Sequence, residues 1–195
     1  MTKAHSLLAA LPLCAAAASL SALTNDAHGA LIGLSLQPST AKLHTGERID
    51  VDIAVGGLDI ADLSSFDFDL SFDSDVAAYQ SYSLGTTLAD PFFGQFDFSD
   101  DSDAGNGVLR LAETSGLLAF STQPDAFVLA TVTFMAQDPG ISALTLSRIE
   151  LIDGDAFNPQ PLSADDVTNA TLRVPVPGTL LLMPLGAALI LFRRR

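Results

Sequence analysis

The chain has a single cysteine, Cys14, and no tryptophan in 195 residues. Cys14 lies in an apolar N-terminal stretch that reads as a secretory leader. The remainder therefore has no disulfide, no thiol nucleophile and no cysteine-based zinc site. Histidine is nearly as scarce. His5 and His28 belong to the same leader, and His44 stands alone beyond it in the polar turn Lys42-Leu43-His44-Thr45-Gly46, where a solvated side chain is expected. No Gly-x-Ser-x-Gly elbow, phosphate-cradling glycine loop or dinucleotide fingerprint accompanies it. With Tyr79 and Tyr82 as the only tyrosines, side chains for stacking on sugars are few.

Positive charge is also lacking. The chain holds 9 Lys plus Arg against 23 Asp plus Glu. Between Ala30 and Val174 the basic residues are Lys42, Arg48, Arg110, Arg148 and Arg173, against 22 acidic ones, a formal charge of −17. Such a surface repels nucleic acid and anionic membranes and keeps a secreted protein soluble. Only three of those acids are Glu; the short Asp side chain suits turns and strand ends, where it caps its own backbone.

What is present at the two ends is an address. Lys3 precedes the Ala- and Leu-rich stretch Leu7–Leu23, and Ala27-His28-Gly29 places small residues at −3 and −1 of a cleavage site. This predicts a signal peptide over residues 1–29, cut after Gly29 or, as second choice, after Ala30. Lipidation at Cys14 is disfavoured because the preceding Leu13 is not small. At the other end, Val174-Pro175-Val176-Pro177-Gly178 leads into the uncharged run Thr179–Phe192 and then Arg193-Arg194-Arg195. The prolines keep their segment extended. As a helix the 14-residue run covers about 21 Å, a marginal membrane span, with the arginines held at the cytoplasmic face. The mean hydropathy of +0.36 owes much to these two ends.

The layout of residues 174–195 resembles the PEP-CTERM sorting signal of Gram-negative bacteria: a Pro-x-Pro tripeptide, a short membrane anchor and a basic end. Where that family usually carries Glu between the prolines, this chain has Val176. The resemblance implies processing by signal peptidase and by an exosortase-type membrane protease. It also implies tethering to the inner membrane through the C-terminal helix, on the periplasmic side, and then sorting to the cell surface or extracellular matrix.

Between the ends lies one domain, residues 30–174, large enough for a real core. Its signal is strand. Ile49, Val51, Ile53 and Val55 alternate with Asp50, Asp52 and Ala54; Phe66, Phe68, Leu70 and Phe72 alternate with Asp67, Asp69, Ser71 and Asp73. Further runs occupy Leu31–Leu36, Val76–Leu84, Phe92–Phe98, Val108–Glu113, Leu117–Ser121, Phe127–Ala136, Ala143–Ile152 and Val167–Val174, broken by Gly, Pro, Asn and Asp. Period-two alternation in nine or ten short strands predicts an all-β, antiparallel sandwich. The order of Leu34-x-Leu36-x-Pro38, Thr45-Gly46-Glu47, the two alternating strands, Leu129–Phe134, Gly140-Ile141-Ser142 with Leu144-Thr145-Leu146, and Thr168–Val174 is similar to that of cohesin-like domains, jelly rolls of about nine strands. That resemblance implies the fold and a generic adhesive, structural or binding role. Another surface protein or extracellular polysaccharide is the implied partner.

Two acidic loops invite a metal. Asp97, Asp100, Asp101 and Asp103, closed by Gly105-Asn106-Gly107, offer hard oxygens of the kind calcium takes, although no Glu stands where an EF-hand requires one. Asp153, Asp155 and Asn158 around Gly154 form a smaller set. A solvated turn is the alternative for both. No catalytic residue is assigned. The competing class is a secreted carbohydrate-acting enzyme with paired carboxylates across a cleft.

Overall fold

The computed structural model describes residues 31–40, 42–58, 61–117, 120, 123–155 and 158–176. The expected signal peptide and the tail from Pro177 to Arg195 lie outside them. No helix among the described residues is long and apolar enough to cross a membrane.

Among the described residues eleven strands form two packed sheets, with one short 3₁₀ turn at Ala104–Asn106. In chain order they are β1 Ile32–Pro38, β2 Arg48–Gly56, β3 Leu63–Ser71, β4 Ala77–Leu84, β5 Gln95–Asp97, β6 Val108–Ser115, β7 Phe127–Ala136, β8 Gly140–Asp153, β9 Pro161–Leu162, β10 Ala164–Thr168 and β11 Ala170–Val174. The first sheet runs β10-β1-β2-β7-β4. The second runs β11-β8-β3-β6-β5, with β9 paired to the far end of β8. All pairings are antiparallel except β1 with β10, which is parallel. The sandwich read from the alternation is the observed architecture.

The core follows the period of two. Ile49, Val51, Ile53 and Val55 of β2 are buried, as are Phe66, Phe68 and Leu70 of β3 with Phe72 just beyond it. Phe66 stacks on Phe68 with centroids 5.1 Å apart, and Phe72 meets Phe134 of β7 edge-on at 4.9 Å. At about 25 cal/mol per Å² of apolar surface removed from water, such side chains supply most of the drive to fold.

Where the alternation changes phase, a bulge does it. β8 turns Leu144 and Leu146 inward, then Leu151, an odd step in the pleat. The register slips between Asp67 and Asp69 of the facing β3, and Arg148 of β8 absorbs the extra residue at φ 51°. β4 slips between Tyr79 and Ser81, so Tyr79 and Tyr82 both pack against the core edge.

Three expected strands differ. Phe92–Phe98 shrinks to β5, because Asp90-Pro91-Phe92-Phe93-Gly94 closes as a turn. Leu117 and Phe120, the described part of Leu117–Ser121, are irregular. Val167–Val174 divides at Asn169, the first half joining one sheet and the second half the other. Asn169 stabilises that crossing by accepting a hydrogen bond from the Leu146 amide at 3.1 Å.

Candidate binding face and its acidic edge

The outward face of the second sheet carries an ordered charge pattern. Asp67 and Asp69 point out of β3 because Phe66, Phe68 and Leu70 point in. Arg110 of β6 forms a two-pronged pair with Asp67, its Nε 3.0 Å from Oδ1 and its Nη2 on Oδ2. Arg148 reaches Asp69 at 3.2 Å. The Arg110 hydrogen bonds, with its positive charge, hold the Asp67 carboxyl below the usual aspartate range despite partial burial. Beside this pair lies a depression of about 240 Å³ whose lining includes Ser65, Phe98, Thr114, Glu150 and Ile152.

Along the free edge of that sheet the chain exposes four phenylalanines. Phe92 is 92% exposed, Phe93 64%, Phe96 51% and Phe98 60%. Phe92 and Phe93 sit on a turn that Asp90 organises. Its carboxylate accepts the amides of both, at 2.7 and 2.9 Å, and its backbone exchanges two hydrogen bonds of 2.8 Å with Gly94. Phe96 lies opposite Thr114 of β6, and the Phe98 amide bonds the Ala112 carbonyl, which puts both rings on the outward face. Isolated exposed apolar residues are ordinary; four exposed phenylalanines within seven residues make this edge the candidate interaction surface.

Of the expected calcium set, each carboxylate serves a different donor. Asp97 accepts the Tyr82 hydroxyl at 2.8 Å and the Ser99 amide at 2.9 Å. Asp100 accepts the Ser102 amide at 2.9 Å, Asp101 the Tyr79 hydroxyl at 3.2 Å, and Asp103 the Asn106 amide group at 3.4 Å. Among the described residues no group of three or more His, Cys, Asp or Glu side chains converges as a metal cage. The smaller set is likewise a network of local caps: Asp153 accepts the amides of Asp155 and Gln160, and Asp155 that of Asn158. His44 is exposed, as expected of the turn, with Nδ1 3.2 Å from Glu47. Of the tail residues, Val174 ends β11 buried, Pro175 and Val176 are exposed, and Pro177, Gly178 and Arg193–Arg195 lie outside the described residues.

A residue that sequence reasoning passed over is Glu113. It follows Leu109 and Leu111 on the inward face of β6, is 1% exposed, and neither carboxylate oxygen has a hydrogen-bond partner among the described residues. Register places it opposite Phe66 on one side and Asp97 on the other. Burial, reinforced by the negative charge of Asp97, pushes its carboxyl up to about 7. Asp97 moves the other way. Its own desolvation is outweighed by the Ser99 amide and hydroxyl and by Tyr82, so its carboxyl lies below the ordinary value. A raised and a lowered acid side by side is the electrostatic signature of a glycosidase pair. A general acid must reach the leaving oxygen, however, and the Glu113 oxygens are sealed from solvent.

No family model matches the sequence, and no curated protein does either. The fold does have relatives among solved structures. It is similar to the seventh ScaB type I cohesin of Pseudobacteroides cellulosolvens, with a TM-score of 0.61 and 15% identity over 75% of this chain and 93% of that one. A type II cohesin domain from the cellulosome of Acetivibrio cellulolyticus gives 0.61 and 15%, over 72% and 94%. A non-cellulosomal cohesin from the archaeon Archaeoglobus fulgidus gives 0.56 and 18%, over 78% and 96%. The domain is a cohesin-like β-sandwich.

Proposed function

We propose that this chain is an exported, non-catalytic binding module, held at the inner membrane by its C-terminal segment and then sorted through its PEP-CTERM-like signal to the cell surface or matrix. There it docks another surface protein. The observation that carries the reading is the row of exposed phenylalanines from Phe92 to Phe98. Convex aromatic side chains call for a partner with an apolar pocket. Asp90, Asp97, Asp100, Asp101 and Asp103 lie among and just beyond them in the sequence, and a domain charge of −17 repels a second copy or an anionic membrane. The partner's pocket is therefore rimmed by Lys and Arg. The likeness to cohesins supports a binding role; one of the similar structures is of a type I cohesin–dockerin complex from Clostridium thermocellum.

The test compares the full chain with the Phe92→Ser, Phe93→Ser double variant in the native host. Equal export with the variant shed from the cell surface, and wild type released by high salt, is the expected result. Equal retention overturns the reading. So does a wild-type dimer in sedimentation that the variant lacks, which assigns the strip to self-association, or co-sedimentation with anionic vesicles, which assigns it to lipid. Mass spectrometry of the mature C-terminus tests the sorting arm: an end upstream of Thr179 supports it, and an intact Arg195 reduces the tail to an ordinary anchor.

A further inference from the structure

We propose that Glu113 is a proton-operated latch on edge strand β5, holding the Phe96–Phe98 edge against the sandwich when protonated and releasing it when ionised. The consequence for binding rests on the reading of that edge as the docking surface; the latch itself needs no partner.

The placement makes the case. Glu113 stands at an inward position of β6, buried, with neither oxygen hydrogen-bonded to any of the described residues. From β3 it faces Phe66, which offers nothing polar. From β5 it faces Asp97, a like charge directly opposite. The Tyr82 hydroxyl of β4, which reaches this edge, is committed to Asp97. Among the described residues no cation offsets the pair: Arg110, the basic residue of β6, points to the other face and is bound to Asp67. An ionised carboxylate without counter-charge or donors is among the costliest groups to bury. It must keep its proton or move to water.

Of the two strands that flank β6, one is fixed and one is not. On the β3 side lies the closed aromatic core. On the other side lies β5, three residues long, at the edge of the sheet and paired to β6 alone among the described residues. Charge on Glu113 repels Asp97 and so pushes β5 outward. With β5 go Phe96, Phe98 and the Tyr82–Asp97 bond that joins the sheets. The carboxyl is raised to about 7 by burial and then by Asp97, which sets the working range near neutrality.

The experiment is hydrogen exchange, read by mass spectrometry on the full chain in neutral detergent at pH 5.5 and 8.0 and corrected for intrinsic exchange. Amides of residues 95–98 are expected to lose protection by roughly tenfold or more at pH 8.0, one unit above the midpoint, while β2 and β3 hold theirs. In Glu113→Gln, β5 stays protected at both pH values. Unchanged β5 protection in the wild type overturns the latch, as does a pH-dependent loss that persists in Glu113→Gln. Should that variant not fold, the carboxyl carbon shift of Glu113 in the wild type decides. A midpoint between 6 and 8 supports the latch, and one outside that range overturns it. Because exchange is measured without a partner, failure of the docking reading leaves this result standing, and the reverse.

Discussion

The hydroxyl of Tyr82 on β4 donates to the Asp97 carboxylate on β5 at 2.8 Å, and so joins the free edges of the two sheets. The Tyr79–Asp101 bond, at 3.2 Å, repeats the device one step along. Burial, together with the adjacent Asp101 carboxylate, pushes the Tyr79 phenol up to about 12, so it stays a donor at any physiological pH. Hydrogen bonds to charged acceptors are worth about 1.5–3 kcal/mol when shielded, and less at an exposed edge. Tyr82→Phe is therefore expected to cost about 1 kcal/mol in urea denaturation, and Tyr79→Phe less. A neutral result for Tyr82→Phe would mean that water serves Asp97 equally well.

Phe68 and Asp69 test the inward and outward faces of one strand. Phe68 is wholly buried, stacked on Phe66. Truncating such a ring costs about 3–5 kcal/mol, and placing a carboxylate there costs more. Phe68→Asp is expected to unfold the domain by circular dichroism. Asp69→Asn surrenders only an ion pair to the largely exposed Arg148. The expected change is below about 1 kcal/mol. Equal losses from the two substitutions would mean that β3 is buried on both faces.

The triplet Phe-Asp-Phe occurs twice, and it marks how far sequence carries. In Phe66-Asp67-Phe68 the rings are inside and the carboxylate outside; in Phe96-Asp97-Phe98 the arrangement is inverted. Alternation says which side chains share a face. It does not say which face is covered, because that depends on neighbours distant in sequence. β3 lies between β8 and β6, whereas among the described residues β5 has only β6. The sandwich and most of its core were thus legible, and the aromatic edge was not. Glu113 was hidden similarly. Leu109, Leu111 and Glu113 keep the period of two, yet a charged residue reads as the end of a strand rather than part of its buried face. The bulges at Arg148 and Tyr79 shift phase without any glycine to announce them.

Calcium meets a loop whose carboxylates are already engaged. To gather Asp97, Asp100, Asp101 and Asp103 around one ion, the chain must draw Asp97 and Asp101 away from the tyrosine hydroxyls they now serve. The turn also depends on Gly107, at φ 81°, where a Cβ would lie 2.2 Å from the Phe72 carbonyl oxygen. Millimolar calcium is accordingly expected to leave the melting temperature unchanged. A rise that Asp101→Ala with Asp103→Ala abolishes would show that the loop reorganises around the ion. Gly107→Ala is expected to lower the melting temperature with or without calcium.

Opposite pKa shifts on the two sides of β6 give stability a maximum in mildly acidic solution. On the outward side, Arg110 lowers Asp67 below 3.8. The native chain then binds fewer protons than the unfolded one, so this contribution is full above the unfolded value and is lost as pH falls through the folded one. Asp97 has the same sign. On the inward side, Glu113 is raised from 4.5 to about 7. The native chain binds more protons across that interval, and stability falls as pH rises through it. At 1.36 kcal/mol per unit the fall is up to about 3 kcal/mol. Denaturant midpoints measured from pH 3 to 8 should therefore peak between 4 and 5. Arg110→Gln should flatten the acid limb alone, and Glu113→Gln the neutral limb alone. A midpoint that climbs steadily to pH 7 in the wild type would place the Glu113 carboxylate in water instead of between the sheets.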